Sequence, residues 1–418
     1  MVTRRLLSVL VLASFLLAST FALAQGALPL EPGVGLQSTM FARDLAFPAG
    51  MAVLADGSLL VGTSVSTGGG YYDSTGEIVR LVDADSDGVA DSPYETVATD
   101  LPGSITALAL AGDLLFVTSI DPAGPAITAV RVSEDFSGPY TVAGSIEFHF
   151  QNALHQTYGL ATRPTPGDTG TWDLVFNIGA IGNDTGGSMV SLTGLIEDSL
   201  PDSAVYLATV HDDGESIVFS KPIALATGIR NTSAMAFDPA SGDLWIAENG
   251  IDGLDDPFVS FSADELDVVP AEDIGTLTLD FGFPDTYTRY DTGEAVGSTG
   301  TAPFAVFLPL DGSENEGIAA LSFAPASFPH ELRNGVFAGF HGQWDSTGIE
   351  NEENPLLWVS TETGEMRTIV GNDAATVGHI DSLASSDDAL YVADFCADGS
   401  LSQTDPCGVV YRVTTAGD

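Results

Sequence analysis

Positive charge is scarce in this sequence. Lysine occurs once, at Lys221, and Lys plus Arg number 12 against 58 Asp plus Glu, a formal net charge of −46. So acidic a surface repels phosphate backbones and anionic headgroups, which excludes nucleic acid and acidic membranes as partners. It suits a salty medium that screens self-repulsion, or a chain that binds divalent cations. Cysteine is equally sparse. Cys396 and Cys407, in "DFCADGSLSQTDPCG", read as one local disulfide of an oxidising compartment, and with no C-x-x-C-H there is no c-type haem attachment. No G-x-x-x-x-G-K-[ST], H-E-x-x-H or G-x-S-x-G occurs, which argues against nucleotide, zinc-protease and hydrolase chemistry. Past the first residues no apolar run is long enough to span a membrane. Long charge runs are missing too, and the apolar content of 44% argues against disorder.

The start, MVTRRLLSVLVLASFLLASTFALAQ, has a basic end (Arg4, Arg5), an apolar stretch and a small-x-small close at Ala22-Leu23-Ala24. It reads as a secretory signal over residues 1–24 with cleavage before Gln25; the alternative is an uncleaved anchor. Cleavage leaves a secreted or periplasmic chain with no membrane attachment. Residues 25–40 read as an N-terminal extension and 41–418 as a single domain.

Within that domain one pattern recurs: a small or apolar stretch, a turn with Asp, Gly or Pro, then a short strand. The six copies are "FPAGMAVLADGSLLVGT", "GSITALALAGDLLFVTS", "HQTYGLATRPTPGDTGTWDLVFNIG", "RNTSAMAFDPASGDLWIAENG", "EGIAALSFAPASFPHELRNGVFAGFHG" and "GHIDSLASSDDALYVADF". Several are followed by a further strand pair, such as "GEIVRLVD" with "YETVATDL". The pattern predicts an all-β fold, a six-bladed β-propeller of four-stranded antiparallel blades. Spacing is widest between the fourth and fifth copies, where long loops and a site are expected.

The first strand of a propeller blade lines the central channel, so residues just before it stand at one mouth. His155 precedes the third such strand, and Arg230 and Asn231 precede the fourth. An imidazole, a guanidinium and an amide at one mouth supply a base, an anion clamp and a hydrogen-bonding group. The plainer alternatives are a structural histidine and an arginine paired with a nearby carboxylate. "DADSDGVAD" places Asp83, Asp85, Asp87 and Asp91 around Gly88, the opening of an EF-hand-like calcium loop, or else a solvated acidic turn. "FNIGAIGNDTGG" reads as an anion cradle or a tight loop, with Asn183 and Asp184 in reach of calcium or substrate.

"GIRN" followed by "AMAFDPASGDLWIAENG", then "ADELDVVPAEDIGTLTLDFGFPD" and "FPHELRNGVFAGFHGQWD", resemble stretches of the glucose/sorbosone dehydrogenase family, over most of the chain from about Phe41 to Val413. The resemblance implies a soluble six-bladed propeller using pyrroloquinoline quinone (PQQ) and Ca2+ to oxidise a small sugar, alcohol or aldehyde, with an electron acceptor the sequence does not name. It implies His155 as base, Arg230 and Asn231 on the quinone oxygens, and calcium at Glu265 and the Phe281 backbone, where Asp267 replaces the family's Asn. It also implies cofactor-binding cations from later blades. Here no lysine follows Lys221, and Arg289, Arg333 and Arg367 stand in no matching motif. The rival reading is a non-catalytic, calcium-stabilised propeller that binds glycans or extracellular partners.

Overall fold

The computed structural model describes residues 26–417 apart from 69, 133–139, 152, 254–259, 310–313, 343–354, 372–376, 378, 397–400 and 403–404. The expected signal segment lies outside the described residues. None of the described helices is long and apolar enough to cross a membrane.

Strand segments such as Leu59-Leu60-Val61 and Leu244-Trp245-Ile246 are apolar without alternation because both sheet faces are covered. Blade one is Met51–Val53, Leu59–Ser66, Ser74–Leu81 and Glu95–Leu101. Blade two begins at Ser104–Ala111, blade three at Leu160–Pro164, blade four at Thr232–Phe237, blade five at Ile318–Phe323 and blade six at Ile380–Ser385. Each starts inside one copy of the repeat, and the six-bladed propeller expected from the repeats is the fold observed.

Two blades depart from four strands. Met189–Gly194 and Asp198–Pro201, inserted from the third blade's connection, extend the outer edge of blade two. A short parallel strand, Leu279–Asp280, adds to blade three.

Blade six takes its outermost strand from the other end of the chain. Leu36–Leu45 pairs antiparallel with Gly408–Thr415, from Leu36 opposite Thr415 to Leu45 opposite Gly408. The propeller thus begins within the stretch expected as an extension. Between successive blades lies one apolar cluster each: blades one and two around Leu60 and Leu108, two and three around Phe116 and Phe176, three and four around Val175 and Ile246. Blades four and five meet around Leu266 and Phe340, five and six around Phe337 and Leu390, six and one around Tyr391 and Leu59. Blade-to-blade packing, not one central core, holds the domain.

Phe41, on the closing strand, is 2% exposed and meets the Tyr391 ring edge-on at 5.2 Å. Phe41→Ala is expected to cost about 3–5 kcal/mol of stability, because the closing strand cannot collapse into the void. Urea unfolding of the purified chain measures it; a loss under ~1 kcal/mol would show the closure contributes little.

Candidate functional site

The backbone leaving each blade's second strand and entering the next blade's first strand forms one mouth of the ring. A cavity of about 510 Å³ opens there, within the range of small-molecule sites. His155, Arg230 and Asn231 all line it.

The His155 backbone N–H donates to Ala180 O at 3.2 Å, and Ala180 N–H donates to Arg230 O at 2.8 Å. The "FNIGAIGND" loop is thus a strut between the two residues. Gly179 is required in it, since a Cβ there would stand 2.8 Å from the Cβ of His155. The buried His155 Nε2 has no hydrogen-bond partner among the described residues. Burial, and then the Arg230 charge, hold the imidazole pKa well below the ordinary 6.5, so the ring is neutral at neutral pH.

Arg230 is 2% exposed. Its Nε donates to Asn183 O at 2.9 Å, and its Nη2 to Asn183 Oδ1 at 2.7 Å and Asp252 Oδ2 at 2.6 Å. Nη1 makes one long contact, 3.4 Å to Asn249 O. Of the five guanidinium hydrogens, this leaves one on Nη1 for a ligand among the described contacts. Asn183 is no direct ligand-binder here. Its Oδ1 also accepts from Asp252 N and its Nδ2 donates to Asp252 O, so it clamps the arginine and its counter-ion together. The Asn231 Nδ2 donates to Asn249 Oδ1 at 2.9 Å, while its buried Oδ1 has no partner among the described residues.

Asp264 joins blades four and five by accepting from Gly250 N at 2.8 Å and Ile318 N at 2.7 Å. On the far side of the ring the His341 Nδ1 lies 2.7 Å from Asp381 Oδ1, and the His341 and His379 rings stack at 4.0 Å. Burial lowers His341 to about 3 and raises Asp381 to about 7, which makes this a hydrogen bond with little ionic character. Sequence reasoning missed Asn183's clamp, Asn249, Asp252, Asp264 and Asp381; of these only Asp252 lay outside the stretches quoted above.

Among its described lining residues the cavity has four carboxyl groups, Asp252, Asp264, Glu316 and Asp381, against one guanidinium. Arg289, Arg333 and Arg367 do not line it. They pair with Asp291, Phe328 O and Gly33 O respectively. The quinone end of PQQ fits the chemistry of this wall: Arg230 has one Nη1 hydrogen not used in the described contacts, and the Asn231 amide oxygen and His155 Nε2 are buried without a partner among the described residues. Its carboxylates find no further cation in the lining, so calcium or protons must accompany them.

Behind the cavity, neighbouring strands place three acids together. Glu248 is the cross-strand partner of Glu265, and Asp267 follows on the same face of its strand. Burial pushes Glu265 up to about 7 and raises Glu248 and Asp267 well above the carboxylate range, each worsened by its acidic neighbours. Both Asp267 oxygens lack a conventional donor. Beside them is a cavity of about 10 Å³ lined by Glu248, Glu265 and Phe281 among others, room for about one water-sized sphere. Glu248, Glu265 and the Phe281 backbone supply oxygen donors there, beside Arg230, but among the described residues only Asp83, Asp85 and Asp87 bring three carboxylates close enough together to share an ion.

The acidic loop of blade one is separate. Asp83, Asp85 and Asp87 bring ligand atoms within 4.8 Å of one another, with Gly88 N donating to Asp83 Oδ2 at 3.0 Å. Asp91 instead accepts from Ala84 N at 2.9 Å, closing the loop. Cys396 and Cys407 are bonded, with Cα atoms 5.2 Å apart.

Neither a family model nor a curated protein sequence matches this chain. Solved structures do. A calcium structure of a Trichoderma reesei carbohydrate-active enzyme of family AA12 is 14% identical, TM-score 0.60, covering 94% of this chain and 98% of that one. The PQQ-bound aldose sugar dehydrogenase of Streptomyces coelicolor is 14% identical, TM-score 0.57, covering 92% and 99%. The holo PQQ domain of Coprinopsis cinerea pyranose dehydrogenase is 13% identical, TM-score 0.54, covering 93% and 97%. Likeness at this identity shows the fold.

A raised carboxyl pKa means the folded chain holds its proton more tightly than the unfolded one. Glu265 therefore contributes stability that is complete below its ordinary 4.5 and lost as pH rises to about 7. Asp381, Glu248 and Asp267 act in the same direction. The metal-free chain is expected to lose melting temperature from pH 5 to 7.5, with calcium restoring most at the alkaline end. Thermal scans with EDTA and with CaCl2 check this; a flat profile and no calcium effect in Glu265→Gln and wild type alike would remove the site.

Proposed function

We propose that this chain is an oxidoreductase that oxidises a saccharide-type alcohol or hemiacetal, using PQQ with Ca2+. One observation carries the reading: among the described residues the buried His155 Nε2 and Asn231 Oδ1 have no hydrogen-bond partner, and both residues line the same cavity as Arg230. The named activities of the structural neighbours support it as well, since sugar dehydrogenases with PQQ are among them. When bound, PQQ would supply the two-electron acceptor for the substrate hydride.

The chain's own contribution follows from its geometry. His155, kept neutral by burial, takes the hydroxyl proton at Nε2 as the substrate C–O bond becomes a carbonyl. Arg230 and Asn231 offer their remaining donors to oxygens that gain negative charge during the reaction. The Asn183 and Asp252 clamp holds the guanidinium in place, so little reorganisation is needed. Glu265, with Glu248 and the Phe281 backbone, would hold calcium as a structural ion, and Asp83, Asp85 and Asp87 a second one in the blade-one loop. Electrons then leave to an acceptor outside the chain. The stretch over 1–24, read from its sequence as a leader, and the Cys396–Cys407 bond support work in the periplasm or outside the cell.

A second reading, a calcium-stabilised glycan-binding propeller without redox chemistry, is favoured by the four lining carboxyl groups facing one occupied arginine. Titration with PQQ, with and without calcium, followed by bleaching with a saccharide panel, separates the two. Saturable binding with bleaching supports the oxidoreductase; a folded chain that binds saccharide and no quinone supports the module.

His155→Ala and Arg230→Lys are expected to lower dye-coupled turnover by about 10²–10⁴ while the fold survives, as read by circular dichroism. Because burial and Arg230 depress the His155 pKa, the wild-type kcat/KM should not begin its acid fall until well below pH 6.5. Undiminished turnover in both variants, or an acid limb centred on 6.5 or above, would refute the assignment.

A further inference from the structure

Four blades share a device at the cavity. In the opening strands of blades two, four, five and six, pairing with the next strand skips one residue: Thr106 between Ile105 and Ala107, Ser233 between Thr232 and Ala234, Ala319 between Ile318 and Ala320, and Asp381 between Ile380 and Ser382. Each is a β-bulge, which leaves its extra residue out of the ladder and re-aims the side chain. All four skipped residues line the cavity.

Three of them offer a ligand little. Ala319 has no polar side chain, the Thr106 hydroxyl donates to Tyr158 O at 2.9 Å, and the Ser233 hydroxyl donates to Asn249 Oδ1 at 2.9 Å. Asp381 differs. Its side chain is 8% exposed, its Oδ1 lies 2.7 Å from His341 Nδ1, and its Oδ2 has no hydrogen-bond partner among the described residues. A buried carboxyl oxygen without a donor is costly, and a ligand that brings a donor removes that cost.

The rest of the lining indicates what charge that donor carries. Asp252 answers Arg230 at 2.6 Å, and burial keeps His155 and His341 neutral. No other described lining residue is cationic. The amide network points the same way. Asn249 Nδ2 donates to Ile318 O at 2.8 Å, so Asn249 Oδ1 accepts from Asn231 Nδ2, and the oxygen left over on Asn231 is a second acceptor. Burial raises Asp381 to about 7 against the opposing pull of His379. A cation beside it favours the ionised form.

We propose that Asp381 receives an ammonium group, and that the cavity takes an amino-bearing saccharide, an inference that rests on the saccharide reading above. An ammonium supplies three donors and no acceptor, whereas a hydroxyl supplies one donor. Its bond to a carboxylate is also charge-assisted, about twice as strong as a neutral one. The net charge of −46 draws cations toward the chain, which favours their encounter with the mouth.

The test uses the whole purified chain without PQQ, titrated calorimetrically at neutral pH. The ligands are methyl glucoside, its 2-amino-2-deoxy and 6-amino-6-deoxy analogues, and the N-acetyl form of each amine, which removes the charge. At least one amine is expected to bind roughly tenfold tighter than its N-acetyl form and methyl glucoside. Asp381→Asn is expected to weaken that amine about tenfold and to leave the neutral saccharides within about twofold. Equal binding of amines and neutral saccharides by the wild type overturns the inference alone and needs no variant. An amine preference that survives in folded Asp381→Asn overturns it as well. Failure of the folded wild type to bind any of these saccharides overturns it together with the saccharide reading. Asp381-dependent binding of an amine in a chain that bleaches no quinone upholds it and sinks the oxidoreductase.

Discussion

The pairing of Leu36–Leu45 with Gly408–Thr415 is the constraint on which the other features rest. A ring of blades has no single core; each blade is stabilised by the apolar cluster it shares with the next, and an open ring would leave blades one and six each with a bare face. The closing strand removes that opening by completing blade six with residues from the other terminus. The cavity depends on it directly, because its walls come from all six blades: Ala49 before the first, Thr106 in the second, His155, Arg230, Ile318 and Asp381 around the rest. The distance from His155 to the His341–Asp381 pair is therefore set by ring geometry and not by either local segment.

Within that frame, blade four carries an unusual electrostatic load. Asp264, Glu265, Asp267 and Glu248 are packed into one blade of a protein with little positive charge to offer, and burial of isolated carboxylates is costly. The structure offsets this in three ways. Backbone N–H groups of Gly250 and Ile318 satisfy Asp264, and the Arg230 backbone N–H donates to Glu248 Oε1 at 2.6 Å. Burial and the neighbouring acids raise the pKa values of Glu248 and Asp267 well above the carboxylate range, so this pair holds protons more readily than exposed carboxylates do. A divalent cation in the small neighbouring cavity would substitute for those protons, which ties metal, pH and stability together.

The sequence made the ring legible because every blade opens with the same local instruction: an apolar first strand, a turn with Asp, Gly or Pro, and a buried second strand. His155, Arg230 and Asn231 could be placed at the mouth for that reason, since position relative to the first strand fixes the end of the channel. Long-range pairings were not legible. Nothing local in "MVSLTGLIEDSLP" specifies that this hairpin joins blade two, because strand pairing depends on the edge already present. Asn183, Asp252 and Asp381 were hidden for a related reason: they lie after second strands or within first strands, and only closure brings them to the cavity. Asp91, whose spacing suits a ligand, gives one carboxylate oxygen to the Ala84 amide and so helps close the loop in which Asp83, Asp85 and Asp87 converge.

Arg230, which stands out in so acidic a chain, can now be placed. A free guanidinium at the mouth would be a strong anion receptor, but four of its five hydrogens are taken by Asn183, Asp252 and Asn249. Asp252, though 47% exposed, gives it a full counter-charge at 2.6 Å. The arginine therefore acts first as a tie between the third and fourth blades and keeps one directed donor for a ligand. It confers direction more than net attraction. A site built this way can orient an oxygen that becomes negative during a reaction, while a permanently charged ligand must arrive with its own cations. Under the proposed function, that division of labour is what a chain with so few cations needs to stabilise a developing oxyanion at one point.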